Sequence, residues 1–483
     1  MVNFWDSNVW SFLMVITALL VVMMIAHILK RNFKFLKKSL IPVSVLGGII
    51  ALIFTTTYKL ITGENFFSLE MFSIVNETTT AAGEVVRETA LDGIALLEII
   101  TYHALAVGFI CMGLKSSKKA DNNKKRTEEV FNTGITTVST YLIQAILGLI
   151  VTIVAFKFIG IDGLIPAAGI ILCLGYGQGT GQALNFGTQY ESVGLAGGAN
   201  FGLAIAALGF LSASIGGVIY LNILRKKKKI KEIVEEDEKL TLENYQGNNE
   251  IPTNLSIDKF TIQIAIVGAI YILSYLIMNL LSKIVSSLSA TLFGFNFLIG
   301  TLLAVLFKFV IKKLREKKIV KREYINDFMM NRIGGSAFDI MIVAGIAAID
   351  LETLKNYIGL LIILAIIGLV STFIYIRFVC KKLFPEYKYE QFFAMYGMLT
   401  GTASTGVILL REIDPNYDTP ASDNLVYQNL PAIIFGLPIM FLVPWAAESE
   451  TACYTVFAII VGLLIVLELI LFRKQIFKKR KAK

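Results

Sequence analysis

The chain reads as an all-α membrane protein with about 11 transmembrane helices and two re-entrant hairpins arranged as an inverted-topology repeat. Three observations predict this class. Hydrophobic residues make up 55% of the chain and charged residues 17%, with a mean hydropathy of +0.68; so much apolar surface calls for lipid rather than one soluble core. Long apolar runs recur along the whole length. Two glycine- and threonine-rich interruptions, GYGQGTGQALNFG at 175–187 and YGMLTGTASTG at 396–406, sit at matching places in the two halves.

Runs of about 20 apolar residues, enough to cross a roughly 30 Å hydrocarbon layer, fall near 7–29, 39–58, 93–114, 134–158, 193–223, 260–282, 287–311, 327–349, 354–379, 425–446 and 451–472. The two interruptions are too short and too rich in glycine to cross, so each is read as a re-entrant hairpin. Glycine-dense, non-helical backbone is tolerated at membrane depth only where it is buried in protein or lines a wet cavity.

Charge sets the expected topology. Alternate loops (30–38, 115–126, 225–239, 308–322, 377–388 and 473–483) hold 37 of the 45 Lys and Arg residues. The positive-inside rule makes those loops cytoplasmic, with the N-terminus outside and the C-terminus inside a multi-pass cytoplasmic membrane protein. The net charge of +9 is thereby a topology signal, and no nucleic-acid partner is expected. The segment 61–92 is acidic, and Trp5, Trp10 and Trp445 fall at the outer interface as an aromatic belt. The first apolar run lacks a basic lead and precedes Lys30–Lys38, the pattern of a signal anchor. Cys111, Cys173, Cys380 and Cys453 lack the spacing of a disulfide frame or a metal site.

A polar, lysine-rich linker at 225–258 divides the chain. It separates an N-terminal repeat at 1–224 (five helices and the first hairpin) from a C-terminal repeat at 259–446, followed by an extra helix and basic tail at 447–483. Five crossings before the linker start the second half on the opposite face. Hairpins entering from opposite faces would bring their tips together near the midplane, the plan of many secondary transporters.

The candidate chemistry lies at those tips. In the first, Gly175, Gly177, Gly179 and Gly181 alternate with Tyr176, Gln178, Thr180 and Gln182. Glycine allows positive φ and close backbone approach, and an arm beginning near Thr180 aims a helix N-terminus at an anion. Gln178, Gly179, Thr180 and Gln182 are therefore expected to bind substrate, against the alternative that the glycines only let helices pack. The second tip offers Thr400, Thr402, Ser404 and Thr405. Thr402 and Ser404 are expected at the substrate and Thr400 and Thr405 at Na⁺, the alternative being back-bonding within a helix. Arg411 either grips a carboxylate bidentately or pairs with Glu412 or Asp414.

Ionisable groups inside a membrane are functional candidates. Asp339 follows Asn331, Arg332, Gly334 and Gly335, which predict an irregular helix; its carboxylate either binds a coupling ion or pairs with Arg332. Asn200, in GGANFG, lines the ion site or ties helices together. Glu98 is expected near the outer surface, and His103 as a satisfied core histidine. HExxH, GxSxG and Walker sequences are absent from the chain, so no enzyme and no cofactor are expected beyond Na⁺ as coupling ion.

These residues resemble the sodium/glutamate symporter family, which is related to the 2-hydroxycarboxylate transporters. The resemblance rests on GYGQGTG at 175–181, the IGG segment Ile215–Gly217, and GFICMGLK at 108–115, which is similar to the family's IGLGASLK-type helix end. Helix order and hairpins match across most of 1–450. The resemblance implies Na⁺-driven uptake of glutamate or a similar small carboxylate-bearing solute, a homodimer, and elevator-like movement of a hairpin-bearing domain against a scaffold. Two departures stand out: Gln178 takes the place of the family's His, and GTASTG, with Gly401–Thr405 at the matching position, replaces a GATPTA-like string. Rival expectations are H⁺ coupling, or an anion or solute channel.

The topology is open to direct test. A cysteine introduced near Glu77 is expected to react with an impermeant thiol reagent in intact cells, and one near Glu236 is not; the reverse pattern contradicts the inverted repeat.

Overall fold

The computed structural model describes residues 4–79, 85–115, 124–228, 230, 258–285, 289–414 and 418–475. Nearly all of the linker 225–258 and of the tail beyond 475 therefore lies outside the described residues. Helix accounts for 83% of the structure. Among the described residues, eight helices are long and apolar enough to cross a membrane, which makes the chain an all-α membrane protein. The strands found among the described residues form an antiparallel ladder in the acidic loop, β1 (Ile74–Thr79) with β2 (Val85–Leu91).

The eight are α1 (Ser7–Asn32), α3 (Val43–Thr62), α4 (Gly93–Leu114), α5 (Lys124–Val154), α8 (Gly198–Lys226), α9 (Lys259–Ile284), α13 (Ile358–Leu383) and α18 (Glu450–Leu471). Three further helices occupy the other expected positions: α11 (Asn296–Glu316), α12 (Asp327–Ala347) and α17 (Asn429–Ala447). Short helices complete the chain: α2 (Lys34–Lys38), α6 (Ile171–Gln178), α7 (Thr180–Glu191), α10 (Ser289–Gly294), α14 (Lys388–Thr400), α15 (Ala403–Arg411) and α16 (Ala421–Tyr427).

Two expectations are corrected. The Asn331–Gly335 stretch is not irregular: α12 runs through it unbroken, because glycines there let α4 come close. Gly334 lies against Cys111 and Gly108 against the Phe338 ring. Helix α5 begins well before the expected residue 134. Its early turns carry polar side chains that are buried in protein, including Glu129, Asn132, Thr133, Thr136 and Thr137, so their polarity does not end the helix.

The helices group into two bodies. In the first, α12 packs on α3 and α4 and α11 on α4, through contacts such as Gly48 with Ile346 and Gly113 with Ala304; α1 and α9 complete it. In the second, α5 and α8 cradle α6, α7, α13 and α14, and α17 and α18 close over α5. The seam between the bodies is formed chiefly by α7 lying on α4 and α12.

Both glycine-rich segments are helix pairs that double back. Helix α6 runs antiparallel to α5: the Tyr141 hydroxyl donates to the Gly177 carbonyl at 3.2 Å, and Leu172 meets Gly148. The chain reverses at Gly179, and α7 runs antiparallel to α8, with Ala183 on Gly202 and Gly187 on Gly198. In the second pair, α15 folds back on α14 so closely that Gly397 and Gly406 touch; any side chain at either position would push the arms apart.

Candidate functional site

The two turns meet. Gly179, the residue before α7, has φ 87° and ψ −171°, a conformation essentially restricted to glycine. A Cβ placed on it would lie 3.4 Å from Thr402 Cγ2, 3.8 Å from Met341 Cε and 3.8 Å from Phe210 Cζ. Thr402 is the residue before α15. The N-caps of two helices therefore stand in contact, with Phe210 of α8 between the two turns and Met341 of α12 facing them from the other body.

This juxtaposition has an electrostatic consequence. The first N–H groups of a helix have no intrahelical acceptor, and no side chain caps either α7 or α15. Each helix start carries about half a positive charge. Two positive ends brought together repel, and an anion bound beside both would offset that repulsion. The neighbouring side chains point the same way. Gln182 is fully buried, and neither its amide nitrogen nor its amide oxygen has a partner; the buried Nε2 of Gln178 is likewise unpartnered. An unsatisfied buried polar group costs about 1–3 kcal/mol, so these amides mark a place where a polar ligand would be stabilising.

The remaining residues near the turns are engaged. The buried Thr180 hydroxyl donates to the Met341 carbonyl at 3.3 Å, which ties the first turn to α12. Thr400 Oγ1 donates back to the Tyr396 carbonyl at 2.7 Å, the back-bonding alternative. Thr402 and Thr405 hydroxyls lie 3.4 Å apart at the second turn. The side chain of Ser404 lies outside the described residues.

Three expected site residues are not brought to the turns. Asn200 sits in the first turn of α8, where its Oδ1 accepts from the Asp350 backbone N–H at 2.6 Å. It closes the loop after α12, next to the ion pair of Asp350 with Lys59 at 3.0 Å. Burial works against ionisation of Asp350, yet the hydrogen bond from Lys59 prevails and holds its carboxyl below the usual range. Arg411 ends α15, whose nine residues put it about 13 Å along the axis from Thr402. Its neighbour Glu412 pairs with Arg225 of α8 at 3.0 Å. Asp339 is two residues from Met341, so it points away from the turns, toward Ser44 of α3. No ion pair joins it to Arg332, whose guanidinium lies over the Phe328 ring at 5.2 Å.

One other polar expectation changes. His103 is exposed on α4 rather than set in the core, and its Nδ1 lies 2.6 Å from the Tyr271 hydroxyl of α9. Glu98 is half-buried in the second turn of α4.

Sequence reasoning missed Gln144 and Tyr141. Fully buried Gln144 donates from Nε2 to Thr372 Oγ1 at 2.8 Å and to the Leu399 carbonyl at 2.9 Å, immediately before the second turn. The available signal was helical spacing: Glu129, Thr133, Thr136, Thr137, Thr140, Tyr141 and Gln144 make a polar stripe at three- and four-residue intervals along an otherwise apolar helix.

A scan against protein-family models finds no match, and no curated protein matches the chain.

The unpartnered amide makes an opposite prediction from that of a structural glutamine. Gln182→Met, of similar volume, is expected to leave the thermal stability of the unliganded protein unchanged or to raise it, by up to about 1–3 kcal/mol. A marked loss of stability would show that the Gln182 amide supports the fold.

Proposed function

We propose that the chain is a secondary active transporter, with Na⁺-coupled symport of glutamate or a similar small carboxylate-bearing solute as its activity. The observation that carries this reading is the contact of Gly179 with Thr402, which faces two uncapped helix starts toward each other beside the unpartnered amides of Gln178 and Gln182. A carboxylate supplies the charge those helix starts favour, and its oxygens accept from N–H groups and glutamine amides alike.

In this reading the two doubled-back pairs are re-entrant hairpins of an inverted repeat of about 11 spans, with the N-terminus outside and the C-terminus in the cytoplasm. The seam supports movement of one body against the other, in the manner implied by the resemblance to sodium/glutamate symporters. Its contacts are largely apolar, including Gly181 with Leu105 and with Met341. Apolar surfaces can slide without leaving buried polar groups unpaired. The homodimer remains an expectation of the same resemblance.

Among the described residues, no group of three His, Cys, Asp or Glu side chains converges.

The test is uptake of a panel of labelled amino acids and dicarboxylates into proteoliposomes. Accumulation that requires an inward Na⁺ gradient is expected. Gly179→Ala, which forces a side chain into backbone strain of about 1–3 kcal/mol, is expected to lower uptake at least tenfold, corresponding to about 1.4 kcal/mol, with protein yield preserved. Uptake driven by a proton gradient alone would favour H⁺ coupling, conduction without accumulation would favour a channel, and full activity in Gly179→Ala would remove the turn from the site.

A further inference from the structure

The helix beyond the repeat, α18, carries a carboxylate inside its apolar span. Glu468 lies about one turn before the end of α18 at Leu471. It is half-buried, and the Tyr375 hydroxyl of α13 donates to its Oε1. Among the described residues no Lys, Arg or His pairs with it: Arg473 and Lys474, just beyond the helix, both engage Glu128 of α5. An ionisable side chain within an apolar span is a functional candidate by default.

A second observation at the same place points to a ligand. Ser139 of α5 is fully buried, and its Oγ lies beside the Tyr375 hydroxyl without completing a hydrogen bond. Three oxygens from three helices thus gather at one point: a carboxylate on α18, a phenolic hydroxyl on α13 and an unpartnered hydroxyl on α5.

One helical turn earlier on α13, a separate set of polar contacts reaches the second turn. Thr372 lies one helical turn before Tyr375, and its hydroxyl accepts from Gln144. The same amide nitrogen reaches the Leu399 carbonyl, next to Thr400 and the turn itself. Gln144 Oε1 is also buried and unpartnered.

We propose that Glu468, Tyr375 and Ser139 form a binding site for a small monovalent cation, Na⁺, one helical turn along α13 from the polar contacts that reach the second turn. One carboxylate with hydroxyl oxygens suits a hard, singly charged ion, since a single negative charge balances it. The proposal deepens the transport reading by giving the coupling ion a place in α18, outside the repeat.

The test is Na⁺ binding to the purified full-length chain without any substrate, read as the rise in thermal midpoint with Na⁺ against equal choline or K⁺ and by direct binding of labelled Na⁺. The wild type is expected to respond to Na⁺ selectively. Glu468→Gln, which keeps an acceptor for Tyr375, is expected to lose the response. Ser139→Ala and Tyr375→Phe are expected to weaken binding about tenfold, equivalent to about 1.4 kcal/mol, and they decide the matter should Glu468→Gln fold poorly. A wild-type response in Glu468→Gln, an equal response to K⁺, no response in the wild type, or a loss confined to Asp339→Asn would each overturn the site. Because the readout needs no substrate, failure of every acid in the uptake panel would strike the transport reading alone.

Discussion

The contact between Gly179 and Thr402 is the constraint on which the rest of the structure depends. To bring two helix starts together inside a bundle, each chain segment must reverse within a residue or two. The first does so through a backbone conformation that a side chain would strain. The second does so by letting α14 and α15 close on glycines at 397 and 406. The surrounding helices accommodate these turns: Gly202 and Gly209 of α8 let α7, Tyr176 and the Thr400 carbonyl approach its backbone, and Phe210 fills the space between the turns. Fold and candidate site are in this sense one feature, since the arrangement that leaves helix N–H groups without acceptors is also the one that packs the second body.

The seam gives the arrangement its dynamic side. Helix α7 belongs to the second body yet lies on α4 and α12 of the first. Two hydrogen bonds that cross there are Thr180 to the Met341 carbonyl and Asn185 to the Gly294 carbonyl; both accept at backbone oxygens, and apolar contact surrounds them. Relative movement then requires breaking few directional interactions, whereas movement within either body would tear apart glycine-mediated backbone contacts such as Gly148 with Gly169. The sparseness of polar bonds along α7 supports the proposed mode of transport.

Much of this was legible in the sequence, for identifiable reasons. Apolar runs and glycine-rich interruptions are local signals, so the helices and the two turns could be read directly, as could Gln178, Gly179, Thr180, Gln182 and Thr402 beside the turns. Which helix face meets which neighbour was not legible. Asn200, Arg411 and Asp339 were chosen because a polar residue in an apolar run is conspicuous, but helical phase and distance along the axis turn them elsewhere. Gln144, Ser139 and Glu468 escaped notice for the converse reason: each sits singly in a strongly apolar or threonine-rich helix, and only packing of α5, α13 and α18 joins them. The ladder at 74–91 was overlooked because its flanking helices dominate the hydropathy.

The central claim is that the two facing helix starts hold an anion. An experimental density map of the protein with a transported acid bound tests it most directly. The account predicts a carboxylate within hydrogen-bond distance of the backbone N–H groups that open α7 or α15, with the Gln182 amide turned toward it. A bound acid found in the same map away from both turns, with Gln182 still unpartnered, would contradict it.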